Sequence, residues 1–177
     1  MKNQYSKIHP ELQEIARKSP KFVFNHKNLW LMQWLMYLMP APKTPEDILV
    51  ENIFIPGQDD RTKIRLRIYK PKSPAVPTPV LLWLHGGGYV MGNPEMHDRS
   101  CAQFVRELGI SIVSVDYRYA PKHPFPAGLE DSYSALQWVQ SHPQQLGVDP
   151  NRIAIGGASA GAGLAAALVQ LAHDRQE

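Results

Sequence analysis

The stretch Arg152–Leu171, RIAIGGASAGAGLAAALVQL, passes from a short apolar run through a glycine-rich hinge into an alanine-rich run. Read as strand, turn and helix, such a hinge has two chemical uses. It can hold an anion on the N-terminus of the helix, or it can expose a nucleophile on a sharp turn. The anion reading is weak here. A phosphate loop ends in Gly-Lys-Ser or Gly-Lys-Thr, and no lysine lies in the hinge. The segment Gly161–Ala166, GAGLAA, has the Gly-x-Gly-x-x-Ala form of a dinucleotide fingerprint, but that fingerprint requires its first glycine directly after the strand and an acid about 20 residues on. The strand is expected to end near Ile155, and the sequence stops before such an acid.

The serine reading rests on GASAG, Gly157–Gly161. A turn this tight needs glycine two places before and two places after the serine, where a side chain would collide with backbone. Ser159 would then stand at the C-terminal end of the strand, with the positive end of the following helix behind it. A second motif, HGGGYVMG at His85–Gly92, directly follows the apolar run VLLWL at Val80–Leu84. Three adjacent glycines are entropically costly to order. Such a loop brings backbone N–H groups up to a ligand, and in acyl transfer that ligand is the oxyanion of the tetrahedral intermediate.

Around these motifs the elements alternate. ILVENIFIP (Ile48–Pro56) and KIRLRIYKP (Lys63–Pro71) read as strands about the turn GQDD. In the second, isoleucine and leucine alternate with Arg65 and Arg67, the pattern of a half-solvated strand. VLLWL, ISIVSV (Ile110–Val115) and RIAIG (Arg152–Gly156) read as buried strands. Between them lie two helical segments. One has Asn93 as candidate N-cap and Pro94 at its first position, ends at Gly109, and carries Cys101, Val105 and Leu108 on one face. The other runs over Ala127–Ser141 with Leu129, Tyr133 and Leu136 along one side. Strands alternating with helices predict an α/β protein with right-handed crossovers and a mainly parallel sheet. The first forty residues read as helices and end in the proline-rich MPAPKTPED.

Composition narrows the function. The 177 residues suffice for one domain with a real core. The formal charge of +3 is spread among acids, so no nucleic-acid-binding stripe is expected. The single cysteine, Cys101, leaves no internal disulfide or paired-cysteine metal site and is expected to be buried on a helix. The most apolar run, Leu29–Met39, is far below the ~20 residues of a membrane span. It reads as a helix buried on most sides, with a lipid-facing anchor as the other reading. The charged first twenty residues lack the apolar core of a signal peptide, so the cytoplasm is the expected location.

The chain resembles the N-terminal part of hormone-sensitive-lipase-like carboxylesterases of the α/β-hydrolase fold. The resemblance rests on HGGGYVMG, SVDYRYAPKHPFPAGLEDSYSALQWV and DPNRIAIGGASAGAGLAA, in the family's order, and covers residues from about 45 to 175. It implies a cap segment over residues 1–45, including the Leu29–Met39 helix, and the first part of the hydrolase core over residues 46–177, ending after the nucleophile elbow. It further implies Ser159 as nucleophile and an oxyanion hole from the N–H groups of Gly87, Gly88 and Ala160. His85, Gly86, Gly157 and Gly161 support the two motifs. The substrate would be a small apolar ester, without metal or cofactor. Two positions depart from the family's Gly-Asp-Ser-Ala-Gly-Gly: Ala158 replaces the acid and Ala162 the last glycine. Losing the acid removes a polar group beside the nucleophile, but neither change removes the hydroxyl or the N–H donors.

In this fold the triad acid and the histidine base follow the serine in the chain. After Ser159 come only His173, Asp174 and Glu177. At ~1.5 Å per residue along one helix, His173 would lie about 20 Å from the serine. Upstream, His85, His97, His123 and His142 fall in loops or turns, and Asp116 and Asp131 in structural positions. Two readings stay open: an esterase sequence cut short, or a short non-catalytic relative that binds a ligand or a partner protein. In the first, RIAIG would present an unpaired edge, and the chain alone is expected to aggregate or form a homo-oligomer.

Overall fold

The computed structural model describes residues 5–19, 26–38, 46–59, 61–74 and 76–176. Two helices come first, α1 (Pro10–Lys18) and α2 (His26–Leu38). The strands are β1 (Ile48–Pro56), β2 (Lys63–Pro71), β3 (Thr78–Leu84), β4 (Ser111–Asp116) and β5 (Val148–Gly157). Helix α3 (Asp98–Leu108) joins β3 to β4. Helices α4 (Ala127–Ser141) and α5 (Pro143–Leu146) join β4 to β5, and α6 (Ala160–Asp174) follows. The sheet order is β1-β2-β4-β3-β5. Strands β3, β4 and β5 pair in parallel, whereas β2 is antiparallel to both β1 and β4. Four of the five strands therefore run the same way, and β2 alone is reversed.

Alternation along the strands sends side chains to two cores, one on each face of the sheet. Val80, Leu82 and Leu84 of β3 join Val113 and Val115 of β4 beneath Tyr133, Leu136 and Leu168 of α4 and α6. On the other face, Ile112 and Tyr69 meet Cys101, Ala102 and Val105 of α3, with Leu81 and Trp83 packed alongside. The parallel strands β3 and β4 are covered on both faces, as continuous apolar runs require. Cys101 is fully buried on α3, and burial pushes its thiol up to about 12.

Five expectations from the sequence need correction. Asn93 caps a 3₁₀ turn, Pro94–His97, by accepting the Met96 N–H, and α3 itself starts only at Asp98. Leu108 is 62% exposed. At ~100° per residue it sits about 70° from the centre of the buried stripe formed by Asp98, Cys101, Ala102 and Val105. The arginine face of β2 is covered, not half-solvated. Arg65 is held by Glu95 and Asp116, and the buried Arg67 by Asp98 and the Tyr69 hydroxyl. β5 is only half-buried: Ile153 and Ile155 pack on the core, but Arg152 and Ala154 are exposed, and the strand pairs with β3 alone, which leaves the unpaired edge expected for it. The fifth concerns α2, expected to be buried on most sides. Leu29 is buried, yet Trp30, Leu31, Trp34, Leu35 and Leu38 are all between 41% and 62% exposed. An apolar helix is buried only where another element covers it, and among the described residues little covers α2. No described helix is long and apolar enough to cross a membrane.

Candidate active site

The hinge between β5 and α6 is a sharp elbow. Ser159 has φ +52 and ψ −116, a backbone conformation that side-chain-bearing residues adopt only when their surroundings impose it. The surroundings here are the end of β3 and the first turn of α6. A Cβ on Gly157 would stand 2.5 Å from the Gly161 carbonyl carbon and 2.7 Å from the Leu84 oxygen. One on Gly161 would overlap the carbonyl oxygens of Leu84 and His85. The two glycines thus let α6 start in direct contact with the end of β3, and the Ala158 N–H donates to the Leu84 oxygen at 3.1 Å. Gly161 and Gly163 lie inside α6, not in the turn that precedes it, which leaves the dinucleotide fingerprint without its loop.

The loop after β3 comes to the same place. A Cβ on Gly86 would lie 3.1 Å from the Ala158 oxygen and 3.5 Å from Ser159 Cβ, so the glycine loop abuts the elbow. Gly87 and Gly88 both have positive φ, +129 and +64. At Gly87 any side chain would run into the Met91 carbonyl. Among the described residues the N–H groups of Gly87, Gly88 and Ala160 make no hydrogen bond. The next N–H groups along α6 bond back into the turn, Gly161 to Ala158 and Ala162 to Ser159. Ser159 is exposed, and its hydroxyl likewise has no hydrogen bond among the described residues.

His85 braces this loop from below. Its ring is fully buried, Nδ1 donates to the Gly86 oxygen at 2.7 Å, and the ring stacks on Tyr117 at 4.1 Å between centroids. The Tyr117 hydroxyl in turn donates to the His85 carbonyl at 2.7 Å. Burial pushes the imidazole down to about 4, so it is neutral near pH 7. Asp131 holds Arg118 through its N–H and its guanidinium, and Asp116 holds Arg65; both acids brace the fold. His173 lies in the last turn of α6, at the far end from Ser159.

Two neighbours of the loop, Gln33 and Tyr89, were not singled out in the sequence, and a third, His97, was read only as a loop position. His97 accepts a long hydrogen bond from the Gly86 N–H at 3.4 Å, and burial lowers its pKa, which favours the neutral acceptor. Gln33 of α2 donates to the Val90 carbonyl at 2.6 Å and ties the helix to the glycine loop. Tyr89 has φ +63 although it is not glycine. Only the position of Tyr89 directly after HGGG was a signal for any of them.

Comparison with known proteins agrees with this fold. Residues 81–177 match a family model described as alpha/beta hydrolase fold. The chain is similar to carboxylesterase NlhH of Mycobacterium tuberculosis, at 42% identity over 136 residues, which are 75% of this chain and 42% of that protein. It is 35% identical to ethyl acetate hydrolase of Pseudomonas putida over 139 residues, 77% of this chain and 43% of that protein. Among solved structures, a bacterial heroin esterase superimposes with a TM-score of 0.83 at 37% identity, over 96% of this chain and 54% of that one. The chain therefore spans about half the length of the relatives it matches.

Proposed function

The chain belongs to the hormone-sensitive-lipase-like carboxylesterases of the α/β-hydrolase fold, and from that premise we propose that it carries the nucleophile and the oxyanion hole of a serine esterase acting on small apolar esters. The observation that carries the reading is the Ser159 elbow, at φ +52, with glycines at 157 and 161 that no side chain could replace without collision. The Ser159 hydroxyl attacks the ester carbonyl carbon and forms a tetrahedral intermediate. Its oxyanion takes hydrogen bonds from the N–H groups of Gly87, Gly88 and Ala160, with the N-terminus of α6 adding a favourable dipole. Collapse expels the alcohol and leaves an acyl group on Ser159, and water then releases the acid.

The proton of Ser159 needs a base, and that base needs a carboxylate to orient it. His85 is committed to the Gly86 carbonyl, and His173 is remote along α6. In this fold the acid and the base follow the serine in the chain, and the remote His173 is the only histidine after Ser159, so the proposed mechanism takes both groups from outside these 177 residues. The relatives' greater length supports this. The departures Ala158 and Ala162 leave the proposed donors intact.

The test uses the whole protein with p-nitrophenyl acetate and a fluorophosphonate. Turnover and labelling at Ser159 are expected, and Ser159→Ala should lower kcat by about 10³-fold or more. Full activity in that variant would remove Ser159 from the mechanism. The 177 residues alone should stay well below ~1 s⁻¹, the low end of ordinary enzymatic turnover.

A further inference from the structure

We propose that Tyr89 and Gly163 together set the width of a cavity that takes one compact apolar arm of the ester, an aryl ring or a short alkyl chain. This rests on the esterase reading above and adds specificity-determining residues to it. The cavity, of about 350 Å³, lies between the start of α6, the segment that follows β4 and the start of α4. Tyr89, Tyr119, Phe125, Leu129, Leu164 and Ala167 are half of its lining, and His123 borders it as well. The charged Arg118 also borders it, but its guanidinium is taken up by Asp131. The lining matches an apolar group bounded by aromatic rings.

Two of the lining residues connect the cavity to the nucleophile. Gly163 stands one helical turn after Ser159, and its N–H donates to the Ser159 carbonyl at 3.3 Å. Tyr89 directly follows Gly88, and its carbonyl accepts the Ala120 N–H at 3.0 Å, which anchors the residue at positive φ. Its hydroxyl occupies the space that a side chain at 163 would need. A Cβ there would overlap the hydroxyl oxygen, yet it would stand 3.6 Å from the ring carbon Cζ, an ordinary contact. The glycine at 163 and the hydroxyl at 89 are therefore matched: a methyl at 163 fits only if the Tyr89 ring moves aside or its hydroxyl is removed.

That match supplies the test, made on the whole enzyme as kcat/KM ratios. One series varies the acyl arm, p-nitrophenyl hexanoate against acetate; the other varies the alcohol arm, phenyl acetate against ethyl acetate. Gly163→Ala drives the Tyr89 ring off its seat and narrows the cavity, so the large-to-small ratio should fall about tenfold in the series whose arm enters it. Tyr89→Phe combined with Gly163→Ala should bring the ratio back to within about threefold of the parent. Tyr89→Ala opens the wall, and the ratio should rise. If Gly163→Ala does not fold, the double variant and Tyr89→Ala still carry the comparison, because neither contains the collision. A shift in either series with recovery in the double variant supports the proposal and identifies the arm. Esters that are turned over with unmoved ratios in all variants overturn it while the esterase reading stands. Absence of turnover by the parent enzyme overturns both.

Discussion

Ser159 is held in a conformation that costs on the order of 1–3 kcal/mol, and the fold imposes it through two glycines. Gly161 is the more tightly enclosed, since a Cβ there would meet carbonyl oxygens of both Leu84 and His85. Backbone atoms of a central strand cannot turn aside as a side-chain tip can. Gly161→Ala should therefore push α6 away from β3, lower stability by about 1–3 kcal/mol and abolish fluorophosphonate labelling of Ser159. Urea unfolding and labelling of the whole protein measure the two effects. Parent-like values in both would mean that the elbow tolerates a side chain at 161. His85 contributes at the same scale: neutral and buried, it fixes the Gly86 carbonyl and so the start of the glycine loop.

Between elements, the junction of β2 with α3 is an ion-pair network where the sequence pattern suggested solvent. Arg67 donates two hydrogen bonds to Asp98, at 2.9 and 2.8 Å, and the Tyr69 hydroxyl donates to Asp98 at 2.6 Å. Arg65 bridges Glu95 of the 3₁₀ turn to Asp116 of β4. These contacts fix the turn that bears His97, and hence the outer side of the glycine loop. Asp98→Ala leaves the buried Arg67 with only the more distant Glu95 carboxylate, at 3.7 Å, and the expected loss is about 3 kcal/mol. Arg67→Met with Asp98→Leu removes both charges and should recover most of that loss. Chemical denaturation of the two variants decides. A double variant no more stable than Asp98→Ala would show that the pair contributes more than mutual neutralisation.

For the whole molecule, the exposed side of β5 is the feature expected to govern behaviour in solution. β5 pairs only with β3, and its outer edge carries Ile153 and Ile155, half-buried, with Ala154 exposed between them. Pro150 lies near the start of β5, but no lysine or proline interrupts Arg152–Gly157, so that part of the edge can pair with another strand. The five large side chains of α2 that stand in solvent add apolar surface, and burial of each would contribute roughly 1.5–3 kcal/mol. The 177 residues alone should therefore elute as dimers or larger species, and Ala154→Lys should shift them toward monomer by placing a charge on the edge. Size-exclusion chromatography with light scattering reads the outcome. A monomer at high concentration, unaltered by the lysine, would show that the edge is not sticky.

The order of strands and helices, the helix over Ala127–Ser141, the elbow and the glycine loop were all legible in the sequence. Each depends on local constraints: periodicity of 2 or 3.6, glycines where Cβ atoms would collide, and a glycine or proline at a helix boundary, as at Gly109 and Pro126. What covers each face came from tertiary packing. The arginines of β2 look solvated in sequence because their partners, Asp98 and Glu95, lie beyond the next strand and become neighbours only when α3 folds back on the sheet. β5 and α2 look buried because their side chains are apolar, yet burial depends on a neighbouring element, which no local pattern encodes. The fit of the Tyr89 hydroxyl over Gly163 has the same origin: two residues far apart in the chain share one small volume only after β3 and α6 are packed together.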